Sequence, residues 1–211
     1  MMVIKILLIA IISYLLGDIN PAIVIGKIKG VDIRKEGSGN PGMTNAIRVM
    51  GLKAGIAVFA VDVLKAFASV KIGYALAGDI GAMAAFAAVV IGHCFPAFYG
   101  FKGGKGVAAS LGAVLALNWQ SALIVLAVAA VLFIIFRRMS VASLGAAISY
   151  PFLVHHFAPQ YTYFGVAVAI FLLIMHRENI ARLIKGEEKP LTIGHKNKEK
   201  DKNDEESGDD K

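Results

Sequence analysis

VIKILLIAIISYLLGDINPAIVIGKI, residues 3–28, decides the class of this protein. Its only charged residues are Lys5, Asp18 and Lys27. About 20 mostly apolar residues suffice for a helix to cross the hydrocarbon of a bilayer, and this stretch is longer. A signal peptide would close its apolar run with small residues at a cleavage site. Here the run from Val3 to Leu16 continues through Ile19–Ile25 with no such site, so it reads as a first membrane span. Six further apolar segments follow, at residues 52–77, 81–98, 107–117, 121–136, 141–157 and 161–176. The fourth of the seven is short for a full crossing.

Composition agrees with that reading. Of 211 residues, 57% are hydrophobic and 18% charged, against about 25% charged in ordinary soluble domains. The expected fold is therefore all-α: a polytopic membrane helix bundle of about seven transmembrane helices, facing lipid. Residues 195–211 hold five lysines and seven acidic residues with no apolar face, which predicts a disordered charged tail behind a membrane domain spanning 1–194. The single cysteine, Cys94, rules out an intrachain disulfide.

Basic residues give the orientation. One set of connections holds Lys27, Lys29, Arg34, Lys35, Arg48 and Lys53, then Lys102 and Lys105, then Arg137 and Arg138, then Arg177, Arg182 and Lys185. The alternate connections, near 78–80, 118–120 and 155–160, hold none. The positive-inside rule predicts that the basic loops are cytoplasmic, the N-terminus outside and the C-terminus inside.

These same loops hold the reactive residue types. VDIRKEGSGNPGMTNAIR (31–48), PAFYGFKGGKGV (96–107) and RRMSVAS (137–143) combine glycine, serine, threonine and asparagine with cations, and HRENIARLIKGEE (176–188) is helical in character. In this topology spans two, four and six begin at the cytoplasmic face. A helix N-terminus presents unpaired N–H groups and partial positive charge, and glycines let backbone approach an oxyanion. Three such ends on one face predict a polyanionic, phosphate-bearing ligand. Blander readings stand beside this one. Glycine loops are often plain turns, and Arg137 and Arg138 by default only set topology. Asp62 and Lys65, three apart on one helix, read as a structural pair. Asp18 and Asn20 read equally as an interior cluster or a pathway lining, and His93 equally as packing or site.

Several chemistries are excluded. GFKGGKG is not a phosphate-binding loop of the GxxxxGK[ST] type, because Tyr99 stands five before Gly104 and Gly106 follows Lys105. No histidine has an aspartate five positions on, which excludes the HxxxxD acyltransferase signature. Neither zinc-ligand spacing nor a GxSxG elbow occurs.

SGNPGMTNAIR at 38–48, GHCFPAFYGFKGGKGVA at 92–108 and HRENIARLIKGEE at 176–188 resemble, in order, the three signature motifs of the bacterial acyl-phosphate:glycerol-3-phosphate acyltransferases, PlsY. The resemblance runs from Tyr14 to Glu188. It implies an integral membrane enzyme of the plasma membrane, with its active site facing the cytoplasm. The reaction transfers a fatty acyl group from acyl phosphate to the 1-hydroxyl of sn-glycerol 3-phosphate, giving lysophosphatidic acid and phosphate. By resemblance the catalytic set is Ser38, Arg48, Lys105, His176 and Asn179. The substrate-binding set is Asn40, Gly42, Thr44, Asn45, His93, Gly103, Gly104, Gly106, Ser140, Ser143 and Arg182, and Glu188 takes a structural role. The donor is already activated, so no cofactor or metal is expected; the partners are the two substrates and the lipid bilayer, with no nucleic acid. One departure is GDINP at 17–21, where many relatives have a GSIP-type turn. Asp18 and Asn20 are expected not to touch the three motifs. A transporter for a phosphorylated metabolite would also need basic loops, but it should show an internal repeat, and no convincing repeat is visible.

Overall fold

Helices make up the regular structure among the described residues, 1–191, of this computed structural model, and no strand occurs among them. The charged tail lies outside the described residues. In chain order the helices are α1 (Met2–Asp18), α2 (Pro21–Ile28), α3 (Met43–Met50), α4 (Leu52–Cys94), α5 (Val107–Leu117), α6 (Trp119–Phe136), α7 (Met139–Phe157), α8 (Thr162–Met175) and α9 (Arg177–Ile184). All seven apolar segments are helical, and three stretches are long and apolar enough to cross a membrane: Met2–Ile28, Leu52–Tyr99 and Trp119–Phe136.

The first segment is interrupted. Proline disfavours helical backbone in the residue before it, and Asn20, before Pro21, is extended at φ −103° and ψ 104°. Its Oδ1 accepts from Ala22 N at 3.0 Å and Ile23 N at 3.1 Å, so the break also starts α2. The long α4 is a hairpin of two arms, residues 52–76 and 79–94. Ala77 and Gly78 leave helical geometry, with Gly78 at φ +60°, where glycine carries little strain. A Cβ on Gly73 would strike the Gly81 carbonyl, and one on Gly81 that of Gly73, so the arms meet backbone to backbone.

The same device packs other helices against α4. A side chain on Gly17 of α1 would overlap the Val89 carbonyl, and one on Gly92 the Tyr14 carbonyl. Gly112 of α5 lies against the backbone of Val63. Between helices in lipid there is little hydrophobic drive, so close van der Waals contact through small residues carries the association. The core follows suit: Phe86, Val89, Ala109, Ala113 and Val154 have no exposed surface. The outside is apolar, with Leu7, Leu8 and Ile11 of α1 and Leu123, Ile134 and Ile135 of α6 exposed.

Two local features differ from the sequence reading. Part of the first glycine-rich loop is helical, α3, which buries Asn45, Ala46 and Ile47 over a small second core with Ala22, Ile23, Ile33 and Val58. The last apolar segment ends at Met175, and the chain bends by 62° into α9, with His176 at the bend.

Candidate active site

Hydrogen bonds draw the four basic segments to one end of the bundle. Arg34 Nη1 donates to Tyr99 O at 3.3 Å, joining the first loop to the second. Lys105 Nζ donates to Asn179 Oδ1, joining the second to α9. The segment after α9 is strapped down by Arg138 Nε to Glu188 O at 2.8 Å, Arg48 Nη2 to Lys189 O at 3.5 Å and Leu191 N to Arg137 O at 3.0 Å. Asp79 and Tyr161 pair at the opposite end, where the α4 hairpin turns.

Within this cluster runs one polar chain. Asn179 Nδ2 donates to Glu188 Oε1 at 2.7 Å while its Oδ1 receives Lys105, and Arg182 Nε donates to Glu188 Oε2 at 2.7 Å. Asn179 and Arg182, three apart, present one face of α9. Burial works against the Glu188 charge, but the Arg182 hydrogen bond, with the Ser140 hydroxyl and then the Asn179 amide beside it, outweighs it and holds the carboxyl below its ordinary range. Burial lowers the Lys105 ammonium below the usual lysine range, helped by the Arg182 charge and less by Arg48, with Glu188 and Glu178 opposing. Three cations, Arg48, Lys105 and Arg182, therefore share one partly dehydrated site in which Glu188 is the carboxylate bonded to Arg182 and Asn179. Lys105 has three N–H groups, and only one meets a hydrogen-bond partner among the described residues.

Helix ends add donors. The N-caps of α3, α5 and α7 are Gly42, Gly106 and Arg138, and none closes its helix with a side-chain bond. Their first-turn N–H groups remain open to an anion. By contrast, Gly103 N donates to Cys94 O and Gly104 N to His93 O, each at 3.1 Å. Those two amides cap the end of α4, and both glycines are needed because a Cβ on either would collide with His93. They shape the loop around Lys105, and their N–H groups are already spent.

The first motif is built around Asn45, whose Oδ1 accepts from Ser38 N at 2.9 Å and whose Nδ2 donates to Ile33 O at 3.1 Å and Glu36 O at 2.9 Å. The buried amide folds the loop that presents Ser38, which is exposed, and Asn40, Gly42 and Thr44, which are half-buried. No hydrogen bond links Ser38, Asn40 or Thr44 to the Lys105–Glu188 chain among the described residues; Arg48, at the end of α3, is the motif's link to it. Ser140 is buried and Ser143 half-buried in the first turns of α7, just after Arg138.

His176 is buried at the α8–α9 bend. Its Nδ1 lies 2.8 Å from Leu172 O. A carbonyl only accepts, so Nδ1 carries the proton, and the neutral ring keeps its lone pair on Nε2.

The turn at 17–21 does reach the motifs, contrary to the expectation from sequence. Asn20 Nδ2 donates to Pro41 O at 3.2 Å in the first motif, and Asp18 Oδ2 accepts from Phe98 N at 3.2 Å in the second. The break in the first span is the reason: it exposes polar backbone and side chains at the depth of the loops. The Asp18 and Asn20 side chains are both buried, and each bonds a backbone group of a loop. Arg138, read only as a topology signal, proves to hold Glu188. His93 joins the expected Asp62–Lys65 pair, a contact between the two α4 arms that no sequence spacing marks.

A family model described as glycerol-3-phosphate acyltransferase matches residues 7–186. The glycerol-3-phosphate acyltransferase of Thermoanaerobacter sp. (strain X514) is 42% identical over 185 residues, covering 86% of this chain and 93% of that one. The protein of the same description from Aquifex aeolicus (strain VF5) is 42% identical over 188 residues, covering 87% and 98%. A crystal structure of PlsY, an integral membrane glycerol 3-phosphate acyltransferase, in its glycerol 3-phosphate form superposes with a TM-score of 0.85 at 38% identity, covering 89% of this chain and 96% of that one. The lysophosphatidic acid form gives 0.82 at 38% identity, covering 88% and 94%.

Proposed function

This chain belongs to the glycerol-3-phosphate acyltransferase family, and from that premise we propose how its residues carry the reaction. It is an enzyme that acylates glycerol 3-phosphate. The donor is acyl phosphate, the acceptor is the 1-hydroxyl, and the products are lysophosphatidic acid and inorganic phosphate. The observation that carries this reading is the Lys105–Asn179–Glu188–Arg182 chain, set beside Arg48 and the uncapped starts of α5 and α7.

The phosphate of glycerol 3-phosphate docks on Lys105, with Arg182 and Asn179 beside it. The phosphate of the donor lies on Arg48 and the Ser38–Thr44 loop, and its acyl chain extends between helices into lipid. His176 accepts a hydrogen bond from the 1-hydroxyl at Nε2 and aims it at the acyl carbon. The new ester C–O bond forms as the acyl C–O bond to phosphate breaks, and the departing phosphate takes the hydroxyl proton. Orienting two bound substrates supplies about 7–11 kcal/mol of barrier reduction, whereas a general base typically supplies a factor of about 100–10,000. Placement is therefore the larger contribution.

The same reading fixes the molecule in its membrane. Seven crossings, counting each arm of α4, put the N-terminus outside and the basic loops, with the active site, on the cytoplasmic side of the plasma membrane. Residues 1–194 form the membrane domain, and the acidic-basic tail follows it.

Purified protein reconstituted in liposomes with acyl phosphate and glycerol 3-phosphate is expected to form lysophosphatidate. Product from an acyl thioester but none from acyl phosphate would overturn the donor. His176→Ala is expected to lose most turnover and His176→Gln to keep part, since glutamine can hold the hydrogen bond but cannot act as a base near neutrality. Equal severe loss in two folded variants would instead make His176 the proton acceptor.

A further inference from the structure

Under the glycine loop, inside the bundle, Asp62 and Lys65 of the first α4 arm meet His93 of the second. Asp62 Oδ1 lies 2.8 Å from Lys65 Nζ and 3.1 Å from His93 Nδ1. The three side chains are 2%, 7% and 3% exposed. Lys65 also donates to Gly17 O at 2.9 Å and Ile19 O at 2.6 Å, the carbonyls left open where α1 breaks. Such a cluster is costly. A buried ion pair can often be replaced by packed apolar residues of similar volume with little loss of stability, and ionisable groups within a membrane bundle usually serve a site.

The cluster meets the glycine loop directly through His93. The far edge of the His93 ring lies under Gly104, close enough that a Cβ there would overlap Nε2. Gly104 N is bonded to His93 O, and Lys105 is the next residue. The other end of the loop is held by Asp18, from the same α1 break, through Phe98 N. The ring is thus a floor for the loop, and Asp62 and Lys65 fix where that floor stands.

We propose that Asp62, Lys65 and His93 are positioning residues: they lock the His93 ring beneath Gly104 and so set the loop that presents Lys105 to the substrate phosphate. This rests on Lys105 being the phosphate ligand proposed above. None of the three needs to touch substrate. Among the described residues Asp62 bonds Lys65 and His93 and no atom of the loop, so its removal reports on the relay and not on a lost ligand.

The test is glycerol 3-phosphate affinity by titration calorimetry, with KM and kcat, for the wild type and for Asp62→Ala, Asp62→Asn, His93→Asn, Lys105→Met and the Asp62→Ala/Lys105→Met double variant. Lys105→Met is expected to weaken binding about tenfold or more. Asp62→Ala should weaken it on the order of tenfold while kcat changes less than about threefold, and Asp62→Asn, whose Oδ1 can still accept, should return near wild type. In the double variant the two losses should not add, because both act through one side chain. His93→Asn keeps a partner for Asp62 and removes the ring edge, so it should also weaken binding, and it decides the matter if Asp62→Ala does not fold. Wild-type affinity in Lys105→Met would remove the premise itself. Loss in Lys105→Met with full additivity, or with unchanged affinity in Asp62→Ala or His93→Asn, would overturn the positioning role and leave the premise standing.

Discussion

Lys105 is short of negative charge. Burial, then Arg182, hold its ammonium below the ordinary lysine value, and a bound phosphate would restore it. The protonated form is the one that binds, so the free enzyme should lose affinity as pH rises through the lowered value. The kcat/KM profile, which reports free-enzyme groups, is expected to fall on its alkaline side below pH 10.5, the usual lysine value. Lys105→Met should abolish that limb along with most activity; an unchanged limb would assign it elsewhere. Glu188 titrates with the opposite sign. Its carboxyl is held below the ordinary 4.5, so its clamp on Asn179 and Arg182 stabilises the fold fully above the unfolded value and is lost as pH falls through the folded one. Glu188→Gln should cost about 1–3 kcal/mol at neutral pH, and thermal unfolding should show the difference from wild type shrinking in acid. Residue types were the most readable level of this sequence: Lys105, His176, Asn179 and Arg182 stand out by charge, spacing and motif. Where backbone hydrogen bonds go was not readable. Gly103 and Gly104 look like anion-binding amides until their carbonyl partners on α4 are seen, and Asn45 looks like a ligand until its loop is seen folded around it.

Among elements, the contacts that matter are made by residues with no side chain. Gly17 and Gly92 bring α1 and the second arm of α4 together, and Gly73 and Gly81 close the hairpin. Gly92→Leu would force α1 off α4 at Tyr14, the helix whose broken end Lys65 and Asp18 tie to the site. Overpacking typically costs about 1–3 kcal/mol, and this one meets backbone, so the melting temperature should drop and activity with it. The exposed Leu123→Ala on α6 should do neither in detergent. Apolar run length made every long helix legible, and the absence of lysine and arginine near 78–80 separated the hairpin tip from the basic loops. The eight-residue α3 was hidden because its few apolar positions lie among glycine, asparagine and proline, the usual signs of a loop. The break in the first span was signalled by Pro21, but an apolar run of that length reads as one helix unless the proline is given priority over hydropathy.

At the scale of the whole molecule, the proposed orientation makes one expectation simple to check. In a Cys94→Ala background, cysteines placed at Lys35 and Lys102 should react with a membrane-impermeant thiol reagent only from the cytoplasmic side, and one at Gln160 only from the other. All three positions are exposed. Labelling of Lys35 or Lys102 from outside would invert the topology. The one-sidedness of the basic loops was plain from sequence, because it depends only on counting along the chain. That the loops are knotted together by residues 188–191 was not, because those bonds join segments up to 141 residues apart.

That strap carries a consequence for biogenesis. Synthesis proceeds from the N-terminus, so Arg48, Lys105 and Arg138 emerge well before the residues that gather them. Until Glu188 and the residues after it have cleared the ribosome, Arg48 and Arg138 lack the backbone carbonyls that strap them and Arg182 lacks its carboxylate, and a nascent chain cannot hold the site closed. Catalytic competence should therefore be switched on late, by a short segment that crosses no membrane, and a ribosome stalled just ahead of Glu188 would display an inserted but inert bundle.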